Sequence, residues 1–598
     1  MKTQKFYVFI TILSAFSLVL SACGPAAAPA NYERPEALEE PALEYESGNM
    51  QDEQMESRSD SPPISSGSGS GGESGGGPVI QAEPAEEKAE QDGMGGASVA
   101  PNTAPSGGEG QSVAPSGGQP QGQTEVQPHP TQAPFPTQGP PEDPFGDTFF
   151  QDYGVNPFID TEDDHFSTFS LDVDTGSFSI ARSYLMDGYM PPEDAIRVEE
   201  FINYFPQGYP TPSEHETFGI FVDGAPAPFT ETERYQIMRV GVQGFEISAW
   251  ERKPVSLTFV IDVSGSMHEG GRLELVKDAL ALLVGQLTHE DRVSIVAYST
   301  EAWVVLQPTR GDRRETILQA IEQLYPMNST NAEAGLILGY DLATHSYLAG
   351  GINRVVLCSD GVANVGNTGP NSIWEQIKYQ ASEGITLTAI GVGMGNYNDV
   401  LLEQLADNGE GFYAYIDTME EAERLFLRDL VGTLQVIAMD AKIQVEFNPE
   451  VVSRYRLVGY ENRDIADQDF RNDKVDAGEI GAGHSATALY EVKLHPGAEG
   501  RIATIHLRWQ DPDTGRVYEI SEDFYAYEMA ENFEDASPYF QLDVMVAEFA
   551  EILRDSYWAS SSYEEVLYHT ERTARYLENP DVYDLLDMMR QAAWIAGY

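Results

Sequence analysis

The sequence predicts an α/β protein: a Rossmann-like, doubly wound, mainly parallel domain inserted in a β-sandwich-like module built from both of its flanks, followed by C-terminal helices. Three observations predict it. Between Val255 and about Thr433, apolar strands alternate with amphipathic helices, which is the pattern of a parallel sheet covered on both faces. On either side of that span the hydrophobic period falls to two. At the N-terminal side, a long stretch rich in Gly, Pro, Ser, Gln, Glu and Ala has too few large apolar residues to offset the entropy of ordering it.

Taken in order, Lys2 and Lys5 precede an apolar run from Phe6 to Ala22, the layout of a secretory signal. The run closes in Leu20-Ser21-Ala22-Cys23. Residues 24–143 read as a disordered tether, able to hold a folded part some tens of ångströms from its anchor point at roughly 5 to 6 Å times the square root of residue number. Residues 144–253 form a β-rich flank with strands such as Thr168–Asp174 and Phe218–Val222 and one helical patch, Glu193–Phe205. Residues 254–433 form the α/β domain. Its strands are Val255–Ile261, Arg292–Tyr298, Arg354–Cys358, Ile385–Val392 and Gly411–Ile416, and its helices lie at Arg272–Leu287, Arg314–Leu324, Ala332–Ser346 and Ile373–Glu383. Residues 434–535 return to alternation in Ala441–Phe447, Ala486–Leu494 and Ile502–Trp509, as in a sandwich. Residues 536–598 are helical, with an apolar stripe of Leu542, Val546, Phe549 and Leu553.

Composition narrows the function. With 35 basic and 96 acidic residues the net charge is -61, a surface that repels phosphate backbones, so nucleic acid is excluded as a partner. The chain has two cysteines. If Cys23 is modified, only Cys358 remains, inside the apolar run Val355–Ser359, where it reads as a small core residue.

The chemistry concentrates at the end of the first α/β strand. In Phe259-Val-Ile-Asp262-Val-Ser264-Gly-Ser266-Met267, one carboxylate and two hydroxyls emerge together at the carboxyl end of a buried strand, where open α/β sheets bind ligands. These are hard oxygen donors of low total charge, suited to a divalent ion that still needs an outside ligand. Asp262-x-Ser264-x-Ser266 resembles the metal-ion-dependent adhesion site of von Willebrand factor type A domains. Two further segments are similar to that family's pattern: Asn328-Ser-Thr330-Asn331 before a helix, and Val355-Val-Leu-Cys-Ser-Asp360-Gly361 at the end of a later strand. The resemblance implies a metal site of Asp262, Ser264, Ser266, Thr330 and Asp360, holding Mg²⁺, with Mn²⁺ or Ca²⁺ as other candidates, and completed by an acidic residue of a protein partner. The flanking segments Ser167–Asp174 and Pro191–Phe205 resemble those of exported bacterial proteins that carry this domain. Leu20–Cys23 resembles a bacterial lipoprotein signal, which implies a lipidated Cys23 and attachment to a membrane of the cell envelope. The function expected is therefore metal-dependent protein binding by an envelope lipoprotein, not catalysis. A structural or assembly factor in which metal stabilises the fold is the alternative.

Enzyme-like motifs are weaker. Val173-Asp174-Thr-Gly-Ser177 resembles an aspartic protease turn, but the second Asp-Thr-Gly, at Asp513, lies in a hairpin-turn composition without a preceding apolar strand. Gly391-Val-Gly-Met-Gly395 lacks the acidic residue of a dinucleotide site and reads as a βα turn. His268 reads as an incidental surface histidine, which leaves Ser264 and Ser266 without a recognisable general base; metal-dependent hydrolysis is accordingly the weakest reading.

Overall fold

The computed structural model describes residues 148–598, apart from 172, 214, 231–233, 328, 362–369 and 395–396. The expected signal, Cys23 and the tether lie outside the described residues. No helix among the described residues is long and apolar enough to cross a membrane.

The N-terminal flank supplies β1 (Ile159–Asp160), β2 (Phe166–Ser170), β3 (Phe218–Pro226) and β4 (Tyr235–Gly244). The α/β span supplies β5 (Val255–Asp262), β6 (Arg292–Tyr298), β7 (Ala302–Arg310), β8 (Ile352–Ser359), β9 (Ile385–Val392) and β10 (Tyr413–Ile416). The C-terminal flank adds β11 (Val436–Phe447), β12 (Val452–Val458), β13 (Gly478–Gly481), β14 (Ser485–Leu494), β15 (Arg501–Gln510) and β16 (Val517–Tyr525).

The α/β sheet runs β10-β9-β8-β5-β6-β7 and is parallel except for the edge strand β7. Every residue of β5 is buried, as a mostly apolar strand between two helical layers requires. One layer packs Leu273, Val276, Leu280 and Leu283 against Phe259 and Ile261; the other packs Leu336 and Tyr340 against Val260 and Val355.

The flanks interleave. One sheet has the order β1-β12-β14-β4-β3, so β4 of the N-terminal flank pairs with β14 of the C-terminal flank from Ser485↔Gln243 to Lys493↔Tyr235. The other has the order β13-β11-β15-β16, and β2 pairs with β11. Val240, Val242, Ile443, Val445, Tyr490 and Ile505 from the two sheets share one core, which makes them a sandwich. The α/β domain is thus inserted between strands of a single β-module.

Three helices follow, Pro538–Leu553, Tyr563–Leu577 and Pro580–Ala596. Each starts on a capping side chain: Ser537, Ser562 with Glu565 in a capping box, and Asn579, with Pro at the first position of two of them. The stripe Leu542, Val546, Phe549 and Leu553 is buried and packs with Ala225, Ile237 and Leu489, on the outer face of the first sandwich sheet.

Several elements differ from the sequence reading. Asp174-Thr175 ends in a helix, Gly176–Met186, instead of a simple turn. Its Ile180 and Tyr184 join a core of the α/β domain while Phe178, Ala181 and Leu185 join the core under the C-terminal helices. A helix buried on two sides has no clean amphipathic stripe, so periodicity does not reveal it. The patch Glu193–Phe205 is broken into a single 3-10 turn, Glu193–Ala195, and a short helix, Val198–Asn203. The nine-residue helix Asp399–Asp407 and the edge strand β7 are likewise too short or too exposed to announce themselves.

Candidate functional site

In the α/β sheet β5 lies between β6 and β8, with helical crossovers leaving in opposite directions, so the gap between β5 and β8 is the topological switch point. Ile261 is paired with Cys358, which sets Asp262 and Ser359 side by side at the carboxyl ends of the two strands. The next residue on the β5 side is the Asp-x-Ser-x-Ser loop, and on the β8 side Asp360. The register alone therefore brings the two motifs together.

Four of the five expected side chains form one hydrogen-bonded group. Asp262 is completely buried; its Oδ1 accepts from the Ser264 amide at 2.7 Å, and its Oδ2 from the Tyr298 hydroxyl at 3.2 Å and the Ser359 hydroxyl at 2.9 Å. Ser264 and Ser266 hydroxyls lie 3.0 Å apart, and Ser266 donates to Asp360 Oδ1 at 3.1 Å. Ser264 and Asp360 are buried. Thr330, half-buried, stands in the loop between the Arg314–Glu322 and Ala332–His345 helices, and joins none of these hydrogen bonds. That loop is tied to the site, since Met327 N–H donates to the Val263 carbonyl and Ser329 N–H to the Ser299 hydroxyl.

Burial pushes the Asp262 carboxyl up to about 6, opposed by the Ser264 amide and reinforced by the nearby Asp360. The donors are all oxygens, two carboxylates and two hydroxyls, converging at one strand end. That set fits a hard dication such as Mg²⁺, whose charge would offset two carboxylates that otherwise repel each other. Among the described residues no group of three His, Cys, Asp or Glu side chains could hold a metal, so no richer acidic or thiolate centre competes with it.

Three participants escape sequence reasoning. Ser359 and Tyr298 orient Asp262; both are the last residues of strands adjacent to β5, a signal that only strand order makes legible. Arg272 is the third. It opens the Arg272–Gln286 helix, donates through Nη1 to Asp360 Oδ2 at 2.7 Å and to the Ser266 carbonyl at 3.3 Å, and through Nη2 to the Met394 carbonyl. Gly393, at φ +71°, lets the chain pass over it; a Cβ there would collide with the guanidinium. The site thus carries its own cation beside Asp360. Gly391–Gly393 ends β9 and turns over Arg272, a structural βα turn.

The other motifs separate. Asp174 is buried, accepting from the Tyr413 amide at 3.2 Å and from Arg463 at 3.5 Å, whereas Asp513 sits exposed at a hairpin tip and pairs with Lys253. The two Asp-Thr-Gly turns do not face each other. His268 is exposed, and no histidine belongs to the hydrogen-bonded group. Cys358 is buried, and burial pushes its thiol up to about 12.

Comparison with known proteins matches three family descriptions to the chain: "von Willebrand factor" over residues 144–239, "von Willebrand factor type A domain" over residues 256–429, and "Uncharacterized protein YfbK, C-terminal" over residues 432–594. The chain is 39% identical over 375 residues to the uncharacterized protein YfbK of Escherichia coli (strain K12), covering 62% of this chain and 64% of that protein. It is 28% identical over 166 residues to inter-alpha-trypsin inhibitor heavy chain H3 of Bos taurus, covering 26% of this chain and 18% of that protein. The chain therefore spans less than two thirds of the length of these relatives. Among solved structures, a von Willebrand factor type A protein from Catenulispora acidiphila aligns with a TM-score of 0.38 at 16% identity, covering 64% of this chain and 91% of that one.

Proposed function

This chain is a von Willebrand factor type A domain protein, and on that premise we propose that it binds a protein partner through a divalent cation held by Asp262, Ser264, Ser266, Thr330 and Asp360. The observation that carries the reading is the convergence of four of these side chains at the switch point of the sheet. A bound Mg²⁺ there would offer a coordination position to a carboxylate from outside. Around that position Asp262 is held by Tyr298 and Ser359, so its carboxylate needs no reorganisation to act as a ligand. Tyr325 and Met327, 63% and 37% exposed, stand on the loop that docks on Val263 and offer apolar contact to a partner whose acidic residue reaches the ion. The same reading includes export, lipidation of Cys23 and attachment to the cell envelope, with the acidic, Gly- and Pro-rich segment as spacer.

The direct test is capture of an envelope protein by the immobilised chain, with Mg²⁺ or with excess chelator. Mg²⁺-dependent capture, restored when the ion is added back, is the expected result. Capture that is unchanged by chelator would remove metal-bridged recognition. Loss of folding in chelator without any captured protein would favour the structural role.

Two properties of the ion site follow from its electrostatics. Arg272→Gln is expected to tighten Mg²⁺ binding by roughly tenfold, because a full positive charge beside Asp360 opposes a dication even in partly screened surroundings. Isothermal titration calorimetry checks this; weaker binding would mean that the guanidinium is needed to aim Asp360. Second, a proton competes with the ion at Asp262. The carboxyl titrates at about 6 in the metal-free chain, so affinity is level above that pH and falls by up to about tenfold per unit below it. Titrations at pH 7.5 and 5 read the difference.

A further inference from the structure

At the opposite end of the α/β sheet, where the domain meets the β-module, lies a cavity of about 330 Å³. It is walled by the start of β8 and β10, by the 424–433 segment that leaves the domain, and by the turn between β13 and β14. Its volume is at the lower end of the range of small-molecule sites, and junctions between domains are where such sites concentrate.

One side chain in it is anomalous. Arg354 is 2% exposed, and no carboxylate lies within 4 Å of its guanidinium among the described residues. The other buried arginines, Arg182, Arg197, Arg239, Arg252, Arg456 and Arg554, each have a carboxylate oxygen within 3.0 Å. Arg354 instead spends Nε on the Thr386 hydroxyl at 3.1 Å and Nη1 on the Thr433 carbonyl, with the Phe412 ring centred 5.6 Å away. A buried guanidinium with no carboxylate in contact is costly, and burial pulls this one down to about 10 against the opposing pull of Glu479. In the same cavity wall, His484 packs against Gly432 and its buried Nδ1 has no hydrogen-bond partner. The remaining charges of the wall are already engaged: Arg424 with Glu421 and Asp429, and Arg428, half exposed at the rim, with Asp581 at 3.1 Å. Glu479 also lines the space, and burial together with the neighbouring Asp476, Asp407, Glu410 and Asp440 holds its carboxyl well above the usual range.

A buried guanidinium with no carboxylate in contact and a histidine with an unpaired ring nitrogen, both lining one cavity, can supply the two halves of an oxyanion receptor. We propose that this cavity binds a small molecule bearing a carboxylate or phosphate group, with Arg354 as its counter-ion and His484 as a second donor. Arg354 near the start of β8 and Asp360 just past its end are six residues apart, about 20 Å at roughly 3.3 Å per residue, so this site is separate from the cation site.

The test is calorimetric titration of the full chain with inorganic phosphate, phenylphosphate and benzoate, all in chelator so that no carboxylate can bind through a metal. Saturable one-to-one binding of at least one probe is expected; tighter phosphate or tighter benzoate then identifies which oxyanion the site prefers. Arg354→Gln should weaken that probe at least about tenfold, the loss of one charge-assisted hydrogen bond. Should that variant not fold, His484→Leu, which keeps an apolar filler in the wall, should weaken it about threefold or more with the fold intact. Absence of saturable binding for all three probes, or equal binding by the wild type and whichever of the two variants fold, would overturn the proposal.

Discussion

Asp262→Asn is expected to lower Mg²⁺ affinity at least about 100-fold, the upper end of what loss of a supporting group costs at metal sites, and to abolish Mg²⁺-dependent capture. The substitution is chosen because Asp262 also has a structural duty. Its two oxygens satisfy the Ser264 amide and the Tyr298 and Ser359 hydroxyls at 2.7, 3.2 and 2.9 Å. Asn retains one carbonyl oxygen, so most of that network survives and thermal stability should stay within a few degrees of wild type. Asp262→Ala strands the tyrosine hydroxyl and the amide, and costs a further 1 to 3 kcal/mol or about that. Comparing the two separates metal loss from misfolding: Mg²⁺ affinity falls in both, stability chiefly in the alanine variant. Full Mg²⁺ affinity in Asp262→Asn would remove this carboxylate from the ligand set.

Arg182→Ala is expected to destabilise the folded chain by about 3 to 5 kcal/mol, the usual consequence of leaving buried carboxylates uncompensated. Arg182 sits on the Gly176–Met186 helix of the N-terminal flank, 7% exposed. Its Nε and Nη2 form a bidentate pair with Asp417 at 2.7 and 2.6 Å, Nη2 reaches Glu421 at 3.0 Å, and Nη1 donates to the Tyr204 hydroxyl at 2.8 Å. Asp417 and Glu421 belong to the α/β domain, whereas Arg182 and Tyr204 belong to the flank. The cluster is therefore a polar rivet between the inserted domain and its host. Denaturant unfolding gives the magnitude, and Arg182→Met combined with Asp417→Leu should recover part of it by removing one of the stranded charges. A loss below about 1 kcal/mol would show that the apolar contacts of Ile180 and Tyr184 hold the two parts together without the charges.

These two residues also mark how much was legible in the linear chain. Asp262 is legible because the buried parallel strand before it is mostly apolar, ending in Phe259-Val-Ile, and a carboxylate and two hydroxyls at its end break the pattern abruptly. Arg182 was not, because it lies on a helix buried on two sides, whose apolar residues form no single stripe. Arg272 looked like the ordinary polar start of an amphipathic helix. Its role at Asp360 depends on the Gly393 turn passing over it, a contact between segments more than a hundred residues apart. Arg354 was indistinguishable from the first polar residue of a strand until the β-module closed over it.

Linear pattern carries most of the local elements and the chemical character of the chain. Hydrophobic period separates the α/β span from its flanks, the apolar stripe locates the first C-terminal helix, and net charge disfavours nucleic acid. These follow from nearest-neighbour geometry along the chain, which composition and spacing encode directly. Which elements meet is set by packing in three dimensions. The order β10-β9-β8-β5-β6-β7 puts Asp262 beside Asp360, and the pairing of β4 with β14 and of β2 with β11 closes the two flanks into one sandwich. Strand order and pairing arise from the burial of shared faces between distant segments, and many sequences of the same local pattern are compatible with more than one such arrangement.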